Sequence, residues 1–285
     1  MLYFCFFLQY SKNECSEGGE EMKLPQQLQP FAKELAESKK PSLMIHGKTR
    51  STTPLESKFG GRPYWLKKEP YPTAKNGDPL RLLAQINFSE MEVSIPDYPT
   101  EGILQFFVAD DDVYGLDFDD LTNQDTFRVV YHETIEFDES KWMTEFPAFR
   151  DDSYFPIEGE CVLSFERSEE IVSANDYRFN AITKVDVLLD HATDEDDDMH
   201  DEIMDAYYDI ADGQGSKLGG YPFFTQEDPR AYGDYPTFDT LLLQVDTDDD
   251  LNIMWGDAGV ANFFIVLDDL KKRDFSKVLY NWDCH

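Results

Sequence analysis

A chain of 285 residues with 58 Asp and Glu against 25 Lys and Arg carries a formal charge of -33. Such a surface repels phosphate backbones, so nucleic acid is excluded as an expected partner, while basic proteins and cations are drawn toward it. Hydrophobic residues make up 41%, with 22 Phe and 15 Tyr, so the charge does not signal disorder; the length suits one large domain or two halves sharing a core.

In chain order, the first eight residues are apolar but too short to span a bilayer, and no basic residue or small-residue cleavage site flanks them. Glu17-Gly18-Gly19-Glu20-Glu21-Met22 can be encoded by a purine-rich ribosome-binding sequence ahead of an ATG. We therefore expect residues 1–21 to be a misassigned, unfolded leader, 22–285 to be the domain, and the source to be bacterial. Gln26 to Lys40 reads as an amphipathic helix with Leu28, Phe31 and Leu35 on one face, stopped by Pro41. Strands are expected over Ser42–Lys48, Leu82–Ile86, Gly102–Val108, Phe127–His132 and Gly159–Glu166. The acidic run at Asp194 to Glu202 opens a helix over about 196–211, its carboxylates offsetting the dipole and Met199, Ile203, Tyr207 and Ile210 forming a stripe. Cysteines 5, 15, 161 and 284 form no CxxC pair or Cys/His cluster, which suits a reducing compartment.

Self-similarity is the strongest signal. Ser57-Lys58-Phe59-Gly60-Gly61-Arg62-Pro63-Tyr64 answers Ser216-Lys217-Leu218-Gly219-Gly220-Tyr221-Pro222-Phe223. Leu82-Leu83-Ala84-Gln85-Ile86 answers Leu241-Leu242-Leu243-Gln244-Val245, and Gly102 to Val108 answers Gly259 to Ile265. Three blocks in one order at nearly one offset indicate a duplication. The expected fold is α+β: two pseudo-symmetric, mainly antiparallel sheet modules (about 42–130 and 196–283) packed as one unit with a few helices.

Several of these blocks resemble the YwqG-like family of bacterial proteins: Ser57-Lys58-Phe59-Gly60-Gly61, Leu83-Ala84-Gln85-Ile86-Asn87-Phe88, Gly102-Ile103-Leu104-Gln105-Phe106-Phe107, Tyr114-Gly115-Leu116-Asp117 and Met254-Trp255-Gly256-Asp257-Ala258-Gly259. The resemblance implies a cytoplasmic α+β protein with internal duplication. It carries over no catalytic residue.

Candidate sites are few. The Gly-Gly turns, each beside a lysine, could cradle an anion, but an aromatic extended segment follows where a phosphate loop would open a helix, which favours a strand-entry turn. If the modules share a cleft, Lys58, Lys217, Gln85 and Gln244 converge there by pseudo-symmetry and form a binding site. Asp246, Asp248, Asp250 and Asp257 imitate a calcium loop, with Leu251 where the sharp turn wants Gly. No cofactor fingerprint, nucleophile elbow or P-loop occurs, so whether the chain is an enzyme stays open. Two functions are expected: a binding protein whose acidic face engages a basic protein, immunity- or antitoxin-like; or an enzyme or small-molecule binder using the inter-module cleft.

Overall fold

The computed structural model describes residues 24–149, 154–184 and 194–285, the side chains of the last stretch from 201 onward. The leader expected at 1–21 lies outside the described residues. Among the described residues ten strands form: β1 (Lys40–Thr49), β2 (Lys58–Gly60), β3 (Arg81–Asn87), β4 (Ile103–Val108), β5 (Phe127–His132), β6 (Glu160–Glu170), β7 (Lys217–Gly219), β8 (Thr240–Asp246), β9 (Val260–Ile265) and β10 (Leu279–Asp283). The apolar runs alternate between two covered faces. In β4, Leu104, Phe106 and Val108 enter the main core, while Ile103 and Phe107 join smaller clusters on the opposite face. In β9, Ala261, Phe263 and Ile265 face the main core and Phe264 faces away. Burial on both faces is why these runs read as continuously apolar.

All strands belong to one antiparallel sheet in the order β10-β9-β8-β7-β1-β6-β2-β3-β4-β5. The expectation of two packed sheets is corrected here. β1 and β6 pair from Lys40↔Glu170 to Thr49↔Cys161, and this long pairing joins what would otherwise be two separate meanders. Read from either edge, the order passes through a four-stranded meander to a central strand. Each meander carries a register shift at the same place, between Leu82 and Ala84 in β3 and between Leu241 and Leu243 in β8.

The sheet curls around its core until its edges meet. Phe106 of β4 and Phe263 of β9 lie 4.9 Å apart between ring centroids, and Phe127 of β5 and Tyr280 of β10 lie 5.2 Å apart. The Tyr280 amide donates to the carbonyl of Leu121, just before β5. The result is a nearly closed, barrel-like sheet. Strong twist closes such a sheet and leaves little exposed edge.

Among the described residues helices are few: α1 (Ala32–Ser38), α2 (Phe179–Thr183), α3 (Asp194–Ala211) and α4 (Leu267–Lys272). The helix expected over Gln26–Lys40 begins as a 3-10 segment, Gln26–Phe31, that contains Pro30. Proline lacks the N–H a regular α-helix needs there, so α1 starts only after it. Leu28, Phe31 and Leu35 are buried as expected, in a second core with Ile171, Phe179, Ile203, Tyr207 and Tyr221. Among the described residues no helix is long and apolar enough to cross a membrane.

Candidate functional site

The repeated lysines and glutamines lie in two rows on the outer face of the sheet. Lys58 on β2 stands opposite Gln85 on β3, which stands opposite Gln105 on β4. Lys217, Gln244 and Asn262 form the matching row on β7, β8 and β9. All six side chains are buried, so each must find partners or destabilise the fold. Gln85 accepts from the Tyr64 amide at 2.8 Å and donates to the carbonyls of Pro54 and Glu56 at 2.8 and 2.9 Å. Gln244 accepts from the Phe223 amide at 2.8 Å and donates to the carbonyls of Gly213 and Gly215 at 2.9 and 2.8 Å. The β4 and β9 amides complete the clamp: Gln105 donates to the Tyr64 carbonyl, and Asn262 to that of Phe223. Each row therefore staples the loop before the Gly-Gly turn and the aromatic segment after it onto the sheet.

The quartet Lys58, Gln85, Lys217 and Gln244 is thus two pairs rather than one convergent site. β6 and β1 lie between β2 and β7, which keeps the pairs on separate parts of the sheet. Lys58 Nζ donates to the carbonyls of Thr53 and Arg62, and burial pulls its pKa down to about 8. Lys217 Nζ donates to the Gly213 carbonyl at 2.7 Å and to Glu170 Oε2 at 2.9 Å; burial lowers its pKa as well.

A carboxylate of the chain itself lies against each Gly-Gly turn. Gly61 and Gly220 have φ of +70° and +69°, and a Cβ on either would come within 2.5 Å of a carboxylate oxygen, of Glu160 in one case and Glu170 in the other. Glu170 Oε2 also accepts from the Tyr221 amide at 3.0 Å. Its other oxygen, Oε1, is buried with no hydrogen-bond partner among the described residues. Beside this pair lies a cavity of about 440 Å³ whose wall includes Lys217, Glu170, Gly213 and Asp212, with Met44 and Ile210 supplying apolar surface. It is built where β1, β6, the end of α3 and the turn into β7 meet.

The calcium-like spacing does not become a cage. Asp246 accepts from the amides of Gly215 and Thr247, and burial raises its pKa. Asp248 caps the short 3-10 turn Asp249–Leu251 by accepting from the Leu251 amide, while Asp250 and Asp257 are exposed. Leu251 packs against the main core instead of leaving room for an ion. Among the described residues no three His, Cys, Asp or Glu are grouped to hold a metal.

Two further groupings escape a reading by motif. Asp176-Tyr177-Arg178 and Asp228-Pro229-Arg230 place each Asp two residues before an Arg, and both acids grip their own arginine through two bonds. Arg230 also reaches Asp176 at 2.9 Å, joining all four in a buried network. Burial alone would raise the Asp176 pKa; hydrogen bonds from Arg178 and the two positive charges hold it at about 2. The twice-used Asp-x-Arg triplet was the available signal. The second grouping is around His132, whose Nε2 donates to Gln105 Oε1 at 3.0 Å while its ring meets Tyr64 and Trp65 edge-on.

A family profile matches residues 57–284, from the first Ser-Lys-x-Gly-Gly turn to one residue short of the C-terminus. The chain belongs to DUF1963, a family of domains of unknown function. The DUF1963 match contains both stapled rows, both Gly-Gly turns and most of the cavity wall. Comparison with curated proteins gives no match.

Proposed function

We propose that this protein binds a small molecule in the cavity beside Lys217 and Glu170. One observation carries the reading: a buried, charged pair lies against a roomy cavity. Ligand pockets commonly pair apolar walls with a few placed polar groups, the combination Met44, Ile210, Lys217 and Glu170 supply. The setting we propose is a bacterial cytoplasm, from the YwqG-like resemblance and the unclustered cysteines. We take the two meanders as descendants of one duplicated unit, a view supported by the repeated blocks, the two matching rows and the paired register shifts.

The test uses ¹³C-methyl methionine NMR, because Met44 lines the cavity. The probes are butylamine, butanol, butyramide and butyrate at millimolar concentration, and the Met44 signal is assigned from Met44→Leu. At least one probe should shift the Met44 methyl in a saturable way, and Gln214→Trp, on the cavity rim, should abolish the shift. No shift from any probe, or a shift that survives Gln214→Trp, would overturn the proposal.

A second reading, engagement of a basic protein, draws on the charge of -33 and on two exposed loop aromatics. Phe118 is 75% exposed between Asp117 and Asp119, and Phe137 is 72% exposed between Glu136 and Asp138. Aromatic anchors within an acidic field suit a basic surface. Salt-sensitive capture of a basic protein from the native host, weakened by Phe118→Ser with Phe137→Ser, is the expected result; capture indifferent to both changes counts against it.

A further inference from the structure

We infer that the cavity beside Lys217 and Glu170 takes an organic cation: a primary ammonium or guanidinium on an aliphatic stem. The inference rests on the cavity being a binding site and names what it selects. Five charged side chains contribute to its wall, and they do not balance. Lys39 pairs with Glu169 at 3.4 Å and Lys217 with Glu170 at 2.9 Å, which leaves Asp212. Asp212 makes no ion pair among the described residues; its Oδ1 accepts from the Gln214 amide.

One further feature has the same sign. The wall also includes Ile210, Ala211 and Asp212, the C-terminal end of the 18-residue helix α3. A helix C-terminus carries roughly half a negative charge, and cations are stabilised there. Lys217 opposes an incoming cation only weakly: its charge is already taken up by Glu170 Oε2 and the Gly213 carbonyl, and burial favours its neutral form. Met44, Ile171 and Ile210 offer the stem an apolar wall. An anion would meet an excess of carboxylate, and a neutral alcohol would gain a hydrogen bond but no charge attraction from Asp212 or the helix end.

Butylamine and butanol differ in charge and hardly in size, so together they isolate the inference. In the ¹³C-methyl titration of the full chain, butylamine should shift Met44 at concentrations at least tenfold below those butanol requires. Asp212→Asn keeps an oxygen for the Gln214 amide and should weaken butylamine by about three- to tenfold while leaving butanol unchanged. This variant is preferred to Glu170→Gln, because Glu170 also holds the Gly220 turn. Nα-acetyl-lysine methylamide, compared with butylamine, tells the two sources apart: tighter binding of the blocked lysine assigns the site to a peptide side chain, and equal or weaker binding to a free amine. If butanol or butyrate shifts Met44 as readily as butylamine, the cation preference is overturned and the cavity remains a binding site. If no probe shifts it, the cavity reading falls and takes the cation preference with it.

Discussion

Replacing Gln85 by Leu removes the centre of the first stapled row at nearly constant volume. Gln85 is fully buried, and its amide answers three backbone groups that have no alternative in the fold: the Tyr64 N–H and the carbonyls of Pro54 and Glu56. Gln105 keeps its bond to the Tyr64 carbonyl and loses only its contact with Gln85 Oε1. An orphaned buried group costs about 1–3 kcal/mol, and the lower end applies where the loop can reach water. With three such groups toward that lower end and about 1 kcal/mol recovered from the buried leucine, the net destabilisation is about 2–4 kcal/mol. Against a typical total of about 5–15 kcal/mol this is a large fraction. Urea unfolding followed by tryptophan fluorescence and far-UV circular dichroism reads it directly. With a slope of about 2–3 kcal/mol per molar for a domain of this size, the midpoint should fall by about 1–2 M. A fall corresponding to less than about 1 kcal/mol would show that Gln85 does not hold the loop, and the stapling account would fail for both rows.

Arg230→Met should cost about 3–5 kcal/mol, because it leaves Asp228 buried without its arginine; a thermal midpoint within two degrees of the parent protein would refute the four-charge network. The Lys58→Ala and Lys217→Ala double variant should lower the thermal midpoint, since each lysine caps carbonyls beneath a loop; an unchanged midpoint would make both lysines ligand groups and not staples. His132 supplies a pH dependence. Burial lowers its pKa from 6.5 to about 4, so the neutral ring is the native form and the unfolded chain takes up the proton first. That contribution is whole above pH 6.5 and is lost as pH falls toward 4, by roughly 3 kcal/mol in all. His132→Gln should therefore show a flatter stability profile across that interval than the parent, and parallel profiles would remove His132 from the account.

Much of the sheet is legible in the sequence because its cause is local. Leu-Leu-x-Gln-(Ile/Val) and Gly-(Ile/Val)-x-x-Phe-Phe-(Val/Ile) announce strands through apolar runs bounded by turns, and β5 occupies the predicted Phe127–His132. The repeated glutamine was legible as a position but not as a staple, since its partners lie in loops about thirty residues upstream and twenty upstream. The carboxylates against Gly61 and Gly220 were illegible for the same reason: Glu160 and Glu170 sit on β6, far from both turns in sequence. Nor could spacing reveal the cavity, whose walls come from β1, β6 and the end of α3. The calcium-like run shows the opposite failure. Its acids match a linear template, yet capping a tight turn spends the oxygens that an ion would need.

The strand order has a consequence for how the polypeptide can be divided. β1 precedes the first meander in the chain but lies beside β7 of the second, and β6 leads into the second meander but lies beside β2 of the first. The two lengths of polypeptide are exchanged partners, each completing the other's sheet. Cut between β5 and β6, neither fragment holds the neighbour its own short β2 or β7 requires, so the two should assemble only when mixed, as an obligate heterodimer.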